Sequence, residues 1–417
     1  MPEHPEQKTG QKEKRKAVIA GKPNRVIYAI ANALISLFFK VVFRMKVHKS
    51  AIQNLKPPYL VLCNHISNID FLIAAVAMYP QKMNIMAAAL YFQNPLLAWL
   101  LTLMGCFPKQ QFVSDVQSVR NIMRVTKREG VVLLFPAGQS SFTGQDTLIE
   151  PSVATLLRLV RVPVVALTIQ GAHIGFPKWD MRRLRRSRVE CRAWQLFSAE
   201  DLKTMDTAAI YSKVVEELAF DDYEWQRRHR IAARTPRRAE GLEQILFLCP
   251  GCEHEFTIQA SGSRLRCNHC GYEAAMDTFG LLTSQLPEKR AFDTPTAWHR
   301  WQMDFYGQQL TPDFVYAERA KLHRVQPNGK MVLVGEGEAI ITLDAFRVNG
   351  TVEGRPVEWT IDNRLSGVFP HEKKTCFEIF IEEQLYAVAP DNSRAVFKFI
   401  LLKEIIYRIL HPEAARS

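Results

Sequence analysis

Three short apolar runs, YLVLC (59–63), VVLLFP (131–136) and VPVVALTIQG (162–171), are separated by stretches with helical spacing such as Val113 to Arg128. Apolar runs of strand length with no polar alternation are strands buried on both faces, and helices between them predict an α/β domain around a mostly parallel sheet. Two longer apolar stretches precede or interrupt this pattern. VIYAIANALISLFFKVVF, from Val26 to Phe43, has Lys40 as its only charge, with Arg25 and Arg44 just outside. The uncharged part between Arg25 and Lys40 makes roughly 21 Å of helix, short of a hydrocarbon core of roughly 30 Å. The run therefore predicts an interfacial or half-inserted helix, with a core-packed amphipathic helix as the alternative. The second stretch, Met83 to Pro108, is broken at Gln93-Asn94-Pro95. Pro95 lacks a backbone donor and biases Asn94 away from helix, so a strand or turn comes first and a helix starts at about Pro95.

Beyond Glu200 a helical segment leads to TPRRAEG, starting at Thr235, which reads as a linker. From Tyr316 to Val388 short strands alternate with turn signals (QPNGK, VNG), and APDN (389–392) precedes a last apolar helix, Ser393 to Leu410. This predicts a small β-rich C-terminal domain closed by a helix.

Length and charge narrow the picture a little. A chain of 417 residues is too long for one core, which favours two or three domains. The net charge of +12 favours an anionic partner, nucleic acid or an acidic membrane surface alike. Residues 1–22 are polar and charged over most of their length, lack the features of a secretory signal, and read as a disordered basic tail. Of the eight cysteines, Cys63, Cys106, Cys191 and Cys376 are scattered among or beside apolar residues, as buried free thiols are. That usage fits a reducing compartment better than a disulfide framework.

The candidate chemistry lies in LCNHISNIDFL, Leu62 to Leu72, where His65 and Asp70 follow an apolar strand. A hydroxyl is a poor nucleophile unless a base takes its proton during attack, and neutral imidazole is the usual base. A carboxylate on the other ring nitrogen fixes the tautomer and stabilises the imidazolium that forms. The spacing alone also suits a helix-capping aspartate and an ordinary loop histidine; its context carries more. N-H-x-S-x-x-D is followed by MGCFPKQQF, LLFPAGQSSFTG and VPVVALTIQGA in that order.

In these blocks the chain resembles the glycerolipid acyltransferase family, bacterial 1-acyl-glycerol-3-phosphate acyltransferases in particular, over at most Val26 to Ser198. The resemblance implies His65 as general base and Asp70 as its orienting partner, with Asn64 and Ser67 in the same motif. It places Gly105, Phe135, Pro136, Gly138, Ser140 and Ser141 at substrate-binding positions, and Lys109 as a stand-in where the second block has Gln111 for the expected arginine. Val162 and Pro163 match the strand that closes the acceptor site. The third block departs from the family pattern: Ala137 stands for glutamate and Ser140 for arginine, the pair that holds the acceptor's phosphate end. Bidentate arginine suits phosphate. Either Lys109 takes over the phosphate, or the acceptor is a different lysolipid or glycolipid hydroxyl. Downstream, Arg182, Arg183, Arg185, Arg186 and Arg188, with Trp179 beside them, form either a solvated basic segment or a contact for anionic lipid head groups.

Cys249, Cys252, Cys267 and Cys270 form two C-x2-C knuckles whose thiolates suit one tetrahedral structural zinc. EFTIQA and RLR between them read as strands of a zinc ribbon; His254 and His269 read as surface residues. Zinc ribbons often contact nucleic acid, and the basic Arg227 to Arg238 segment keeps that possibility open. The ribbon's Glu253 and Glu255 and its lack of a basic aromatic face argue against it. The C-terminal strand order resembles a pleckstrin-homology or GRAM module.

The expected architecture is a basic tail (1–22), an α/β acyltransferase-like domain with a membrane-associated helix (23–235), a zinc ribbon (245–275) and a β-rich domain closed by a helix (290–412). The expected activity moves an acyl group from acyl-CoA or acyl-carrier protein to a lysophospholipid hydroxyl, in a peripheral or monotopic protein on the cytoplasmic face of a membrane. Its partners are membrane lipid and the acyl donor, with no nucleic acid expected. The alternative is a non-catalytic lipid- or nucleic-acid-binding scaffold.

Overall fold

The computed structural model describes residues 19–88, 92, 94–109, 116–180, 184–233, 235–284, 290–326, 329–371, 374–382 and 384–412, without the side chains of Ala88 and Lys109. The N-terminal half contains β1 (Lys46–His48), β2 (Tyr59–Cys63), β3 (Met83–Ala88), β4 (Phe107–Lys109), β5 (Val131–Leu134), β6 (Val164–Gln170) and β7 (Glu190–Phe197). They form one sheet in the order β1-β7-β6-β2-β5-β3-β4, parallel throughout except where β6 meets β7. The wholly apolar strands are explained by what covers them. Tyr59, Val61 and Cys63 of β2 and Val131 and Leu133 of β5 face one apolar cluster, whereas Leu60, Leu62, Val132 and Leu134 face another. Alternate residues thus enter two cores, and neither face has room for polar positions.

The first core is closed by α1 (Arg25–Phe43) and α2 (Asp70–Met78); α3 (Pro95–Leu103) follows β3. The second is closed by α4 (Val116–Lys127), α5 (Ser152–Val160) and, beyond the short α6 (Ala172–Gly175) and α7 (Asp201–Thr204), by α8 (Thr207–Leu218). The predicted break before Pro95 is where α3 begins, with the Asn94 side chain accepting from the amides of Leu96 and Leu97. Among the described residues, α1 is the one helix long and apolar enough to cross a membrane. It buries Tyr28, Phe39 and Phe43 but leaves Val26, Leu34 and Leu37 about two-thirds exposed (66%, 67% and 63%). No residue of α3 is buried; Leu96 and Trp99 face outward.

Two expectations are corrected here. The end of the predicted tail is docked: Ala20 is buried, and the carbonyls of Ala20 and Gly21 accept from Arg128. Residues 1–18 lie outside the described part of the chain. The TPRRAEG segment is packed rather than a solvated linker, since Ala239 and Leu242 beside it are buried and Arg238 donates to the carbonyls of Met276 and Thr235.

After α9 (Asp222–His229), strands β8 (Ile258–Ser261), β9 (Arg264–Cys267), β10 (Glu273–Met276) and β11 (Leu282–Ser284) make a four-stranded antiparallel sheet that carries the cysteines. The C-terminal sheet has the order β15-β14-β13-β12-β17-β16, from β12 (Val315–Val325), β13 (Met331–Thr342), β14 (Ala345–Val352), β15 (Arg355–Asp362), β16 (Phe377–Ile381) and β17 (Gln384–Pro390). It is antiparallel throughout, and β12 and β13 are long where short strands were expected. It is flanked by α10 (Pro295–Gly307), which the sequence reading missed, and closed by α11 (Ala395–Leu410). Both helices hold the cysteine sheet. Trp298 of α10 donates to the Leu248 carbonyl at 2.9 Å, and Lys398 of α11 pairs with Glu255 at 2.7 Å. The same module packs on the N-terminal half. Phe397 meets Phe142 edge-on with centroids 5.0 Å apart, Tyr407 clusters with Leu148, and Lys374 donates to the Trp179 carbonyl.

Candidate active site

Strand β2 ends at Cys63 and α2 begins at Asp70, so NHISNI is the loop at the carboxyl end of a central parallel strand, where open α/β sheets place their ligands. Asp70 is fully buried and folds back over this loop. Its Oδ2 accepts from the amides of Ile66 (2.6 Å) and Ser67 (2.8 Å) and meets His65 Nδ1 at 2.8 Å. Burial pushes the Asp70 carboxyl above its usual range, and the bonds from His65, Ser67 and Ile66 pull it back. A proton on Nδ1 leaves Nε2 with its lone pair. The ring lies flat on Phe135, 4.4 Å between centroids, at the end of β5. An imidazole held this way can take a proton at Nε2 while a buried carboxylate stabilises the resulting cation.

His65 opens into a cavity of about 1150 Å³. Pockets for drug-sized ligands run to about 1,000 Å³, so the volume suits a lipid chain. Its apolar part is lined by Ile85, Leu97, Leu101, Val119, Ile122 and Leu156. Phe135, Pro136, Gly138 and Ser140 line it near His65, which brings together the third-block positions that the resemblance implies.

The other expected positions serve the frame. Asn64 bridges to β6 through both the amide and the carbonyl of Ile169, at 2.8 Å each. Ser67 donates to the Phe176 carbonyl at 3.2 Å, and Ser141 ties its amide to the His65 carbonyl at 2.8 Å. Gly105 sits in the turn between α3 and β4 with a left-handed φ of 82°, where a Cβ would come within 2.6 Å of Pro23; it is a structural glycine, and Cys106 beside it reaches the cavity. The Lys109 side chain and Gln111 lie outside the described residues. Trp179 is corrected outright: it is buried, its indole donates to His173 Nε2 at 3.3 Å, and Arg185 stacks on it while pairing with Asp180 at 3.1 Å. Arg185 is therefore an internal cation and not a lipid contact, while Arg182 and Arg183 are not described.

The sequence reading missed a group of polar residues on the cavity wall. Asn68 Oδ1 accepts from the Ser140 hydroxyl at 2.7 Å. Lys178, in the loop after β6, and His371, between β15 and β16, also line the cavity, although they are only 4% and 5% exposed. The loop of Lys178 is pinned by Asp222, whose carboxylate accepts from the amides of Gly171 (2.8 Å) and His173 (2.9 Å). Burial lifts the Asp222 carboxyl to about 7 against those two bonds. Nothing in the local pattern around Lys178 or His371 marks them, since tertiary packing alone brings them to the cavity.

The four knuckle cysteines converge, all four sulfurs lying within 4.8 Å of one another. Cys249 and Cys270 are 3.6 Å apart and Cys252 and Cys267 3.8 Å apart. Four sulfurs placed tetrahedrally at about 2.3 Å from zinc stand roughly 3.8 Å apart, so the set fits a metal such as zinc. His254 and His269 stack on each other, 3.7 Å between centroids, at the exposed edge of this cluster.

Residues 44–170, the segment that carries His65, Asp70 and the third block, match the acyltransferase family. A similar solved structure is the 1-acyl-sn-glycerophosphate (LPA) acyltransferase of Thermotoga maritima, 16% identical, with 50% of this chain and 80% of that one aligned at a TM-score of 0.39. No curated protein matches the chain. The matched segment is an acyltransferase domain, and the protein is an acyltransferase enzyme.

Proposed function

We propose that the enzyme moves a fatty acyl group from the thioester of acyl-CoA or acyl-carrier protein to a hydroxyl of a lysophospholipid, the class to which 1-acyl-glycerol-3-phosphate belongs, in membrane lipid synthesis. The observation that carries this reading is the His65–Asp70 pair, 2.8 Å apart, with His65 lining a largely apolar cavity large enough for an acyl chain. His65 Nε2 takes the hydroxyl proton as the oxygen attacks the thioester carbonyl. A C–O bond forms, the C–S bond breaks as the tetrahedral intermediate collapses, and the proton passes from His65 to the departing thiolate. Asp70 holds the tautomer and the charge.

The outward apolar faces of α1 and α3 support a peripheral or monotopic placement on a membrane, which would deliver a lysolipid to the cavity without full extraction; the cytoplasmic face is the side we propose. Structural zinc at Cys249, Cys252, Cys267 and Cys270 would fix the ribbon on which α10 and α11 pack. The test is transfer of a labelled acyl group to a panel of lysophospholipids. Transfer by the wild type and none by His65→Ala is expected; unchanged transfer by His65→Ala would overturn the reading.

A further inference from the structure

The cavity has a second, polar end. Phe142 anchors it: the Lys178 ammonium lies 4.2 Å from the centre of its ring, and the His371 ring packs on it at 4.5 Å. Lys178 Nζ also lies 3.5 Å from the carbonyl of Ser140, the position where the resembled family carries arginine. His371 comes from the C-terminal module, so the two sides of this end belong to different parts of the chain.

The chemistry of the two groups differs. Lys178 is the one Lys or Arg side chain among the described residues lining the cavity, which Glu150 and Glu378 line as well. His371 Nδ1 lies 2.8 Å from the Phe369 carbonyl, which only a protonated Nδ1 satisfies, so Nε2 presents a lone pair. That Nε2 is buried and has no hydrogen-bond partner among the described residues. A buried acceptor left unmatched is costly, and a donor from a bound molecule would satisfy it. Burial first, and the Lys178 charge second, push the His371 imidazole down to about 3, which keeps it neutral.

We propose that this junction is the head-group subsite for the acceptor, and that it takes a phosphodiester whose head group carries free hydroxyls. The proposal rests on the acyl-transfer reading above and names the acceptor class for the same cavity. Because Glu150 and Glu378 line the same cavity as Lys178, each added negative charge is opposed, and a diester brings one where a phosphate monoester carries about −1.5 to −2 at neutral pH. A head-group hydroxyl supplies the donor that Nε2 lacks, which a bare phosphate dianion cannot do. Of the two acceptor routes left open by the loss of the third-block arginine, the structure thus favours a different lysolipid. The same phosphate chemistry could come from the donor's phosphopantetheine arm, and the experiment separates the two sources.

The test uses the full chain, with lysophosphatidylglycerol, lysophosphatidylcholine and lysophosphatidic acid as acceptors at saturating acyl donor, and with the donor varied separately. The variants are Lys178→Met, His371→Leu and His371→Gln, each checked for an unchanged unfolding transition. Wild type is expected to favour lysophosphatidylglycerol. His371→Leu should lower kcat/KM for that acceptor by about tenfold and leave lysophosphatidylcholine unchanged, with His371→Gln restoring part of the loss through its amide oxygen. Lys178→Met should raise KM for both diesters and leave the donor KM alone. Preference for lysophosphatidic acid, an equal loss for every acceptor in His371→Leu, or a rise confined to the donor KM in Lys178→Met would each overturn the proposal. If no acceptor is turned over, the acyl-transfer reading fails by itself, and calorimetric titration with glycerophosphoglycerol and glycerol 3-phosphate decides the subsite. Tighter binding of the former, lost in both Lys178→Met and His371→Leu, upholds it; equal binding or none refutes it.

Discussion

Two histidines face the cavity from different parts of the fold. His65 Nδ1–H donates a hydrogen bond to a buried carboxylate, and His371 Nδ1–H donates one to a backbone carbonyl. Partner and burial together set what each ring is suited to. Asp70 can stabilise a proton added to His65 Nε2, whereas burial first and the Lys178 ammonium second keep His371 neutral, so that its Nε2 stays an acceptor. The same side chain is thereby suited to proton transfer in one setting and to recognition in the other, with the carboxylate beside one ring and the burial of the other making the distinction.

The largest effect should come from breaking the first setting. His65→Ala is expected to lower acyl transfer by about 10²–10⁴-fold for every acceptor, and Asp70→Asn to approach the same loss because the tautomer is no longer fixed. Steady-state rates on two acceptors check this. A loss in either variant confined to one acceptor would assign His65 to recognition and erase the contrast with His371.

The second setting depends on the cysteine sheet. Arg394 of the segment leading into α11 donates to the carbonyls of Phe256 and Ile258 at 2.7 Å, and Lys398 pairs with Glu255, so the module that carries His371 leans on the knuckles. Cys252→Ser, or removal of the metal by a chelator, should lower Tm by at least about 5 °C. Preference for the hydroxyl-bearing acceptor should fall by about tenfold, as in His371→Leu, while transfer to other acceptors persists. Metal analysis should find one zinc per wild-type chain and less in the variant. Loss of all transfer would mean that the two settings are not separable.

The contrast also explains what the sequence disclosed. His65 and Asp70 sit on one loop, so their meeting is a matter of local spacing, and the apolar strands around them follow from burial on both faces. The knuckle cysteines are likewise local pairs, brought together by the antiparallel pairing of β8 and β9. Helix α3 was marked by Asn94 and Pro95; α10 was missed although Thr294 and Pro295 carry the same kind of start signal, the Thr294 hydroxyl accepting from the Ala297 amide. Lys178 and His371 had no local signature, because each acquires its role from Phe142 and from the docking of one module on another. Trp179 and Arg185 were misread because a tryptophan beside arginines looks interfacial until its neighbours in space are known: the indole bonds to His173, Arg185 stacks on it, and Gly241 packs against it.

The smallest effect is the sharpest test of the second histidine. In the unfolded chain His371 titrates near its ordinary 6.5, and in the folded protein only near 3. Above pH 6.5 the ring is neutral in both states and adds no pH dependence. As pH falls below 6.5 the unfolded state takes up a proton that the folded state refuses, so stability is lost progressively toward pH 3, at about 1.4 kcal/mol per pH unit. Other buried groups titrate in the same range, Asp222 with the opposite sign because its carboxyl is raised to about 7. The comparison is therefore between wild type and His371→Gln, which shares every other group and lacks only this proton. Denaturant unfolding at about pH 7 and about pH 5 should show the gap moving by about 2 kcal/mol in favour of the variant on acidification. A gap that does not move would mean that His371 is protonated in the folded protein, and a cationic ring beside Lys178 would suit a phosphate dianion instead of a hydroxyl.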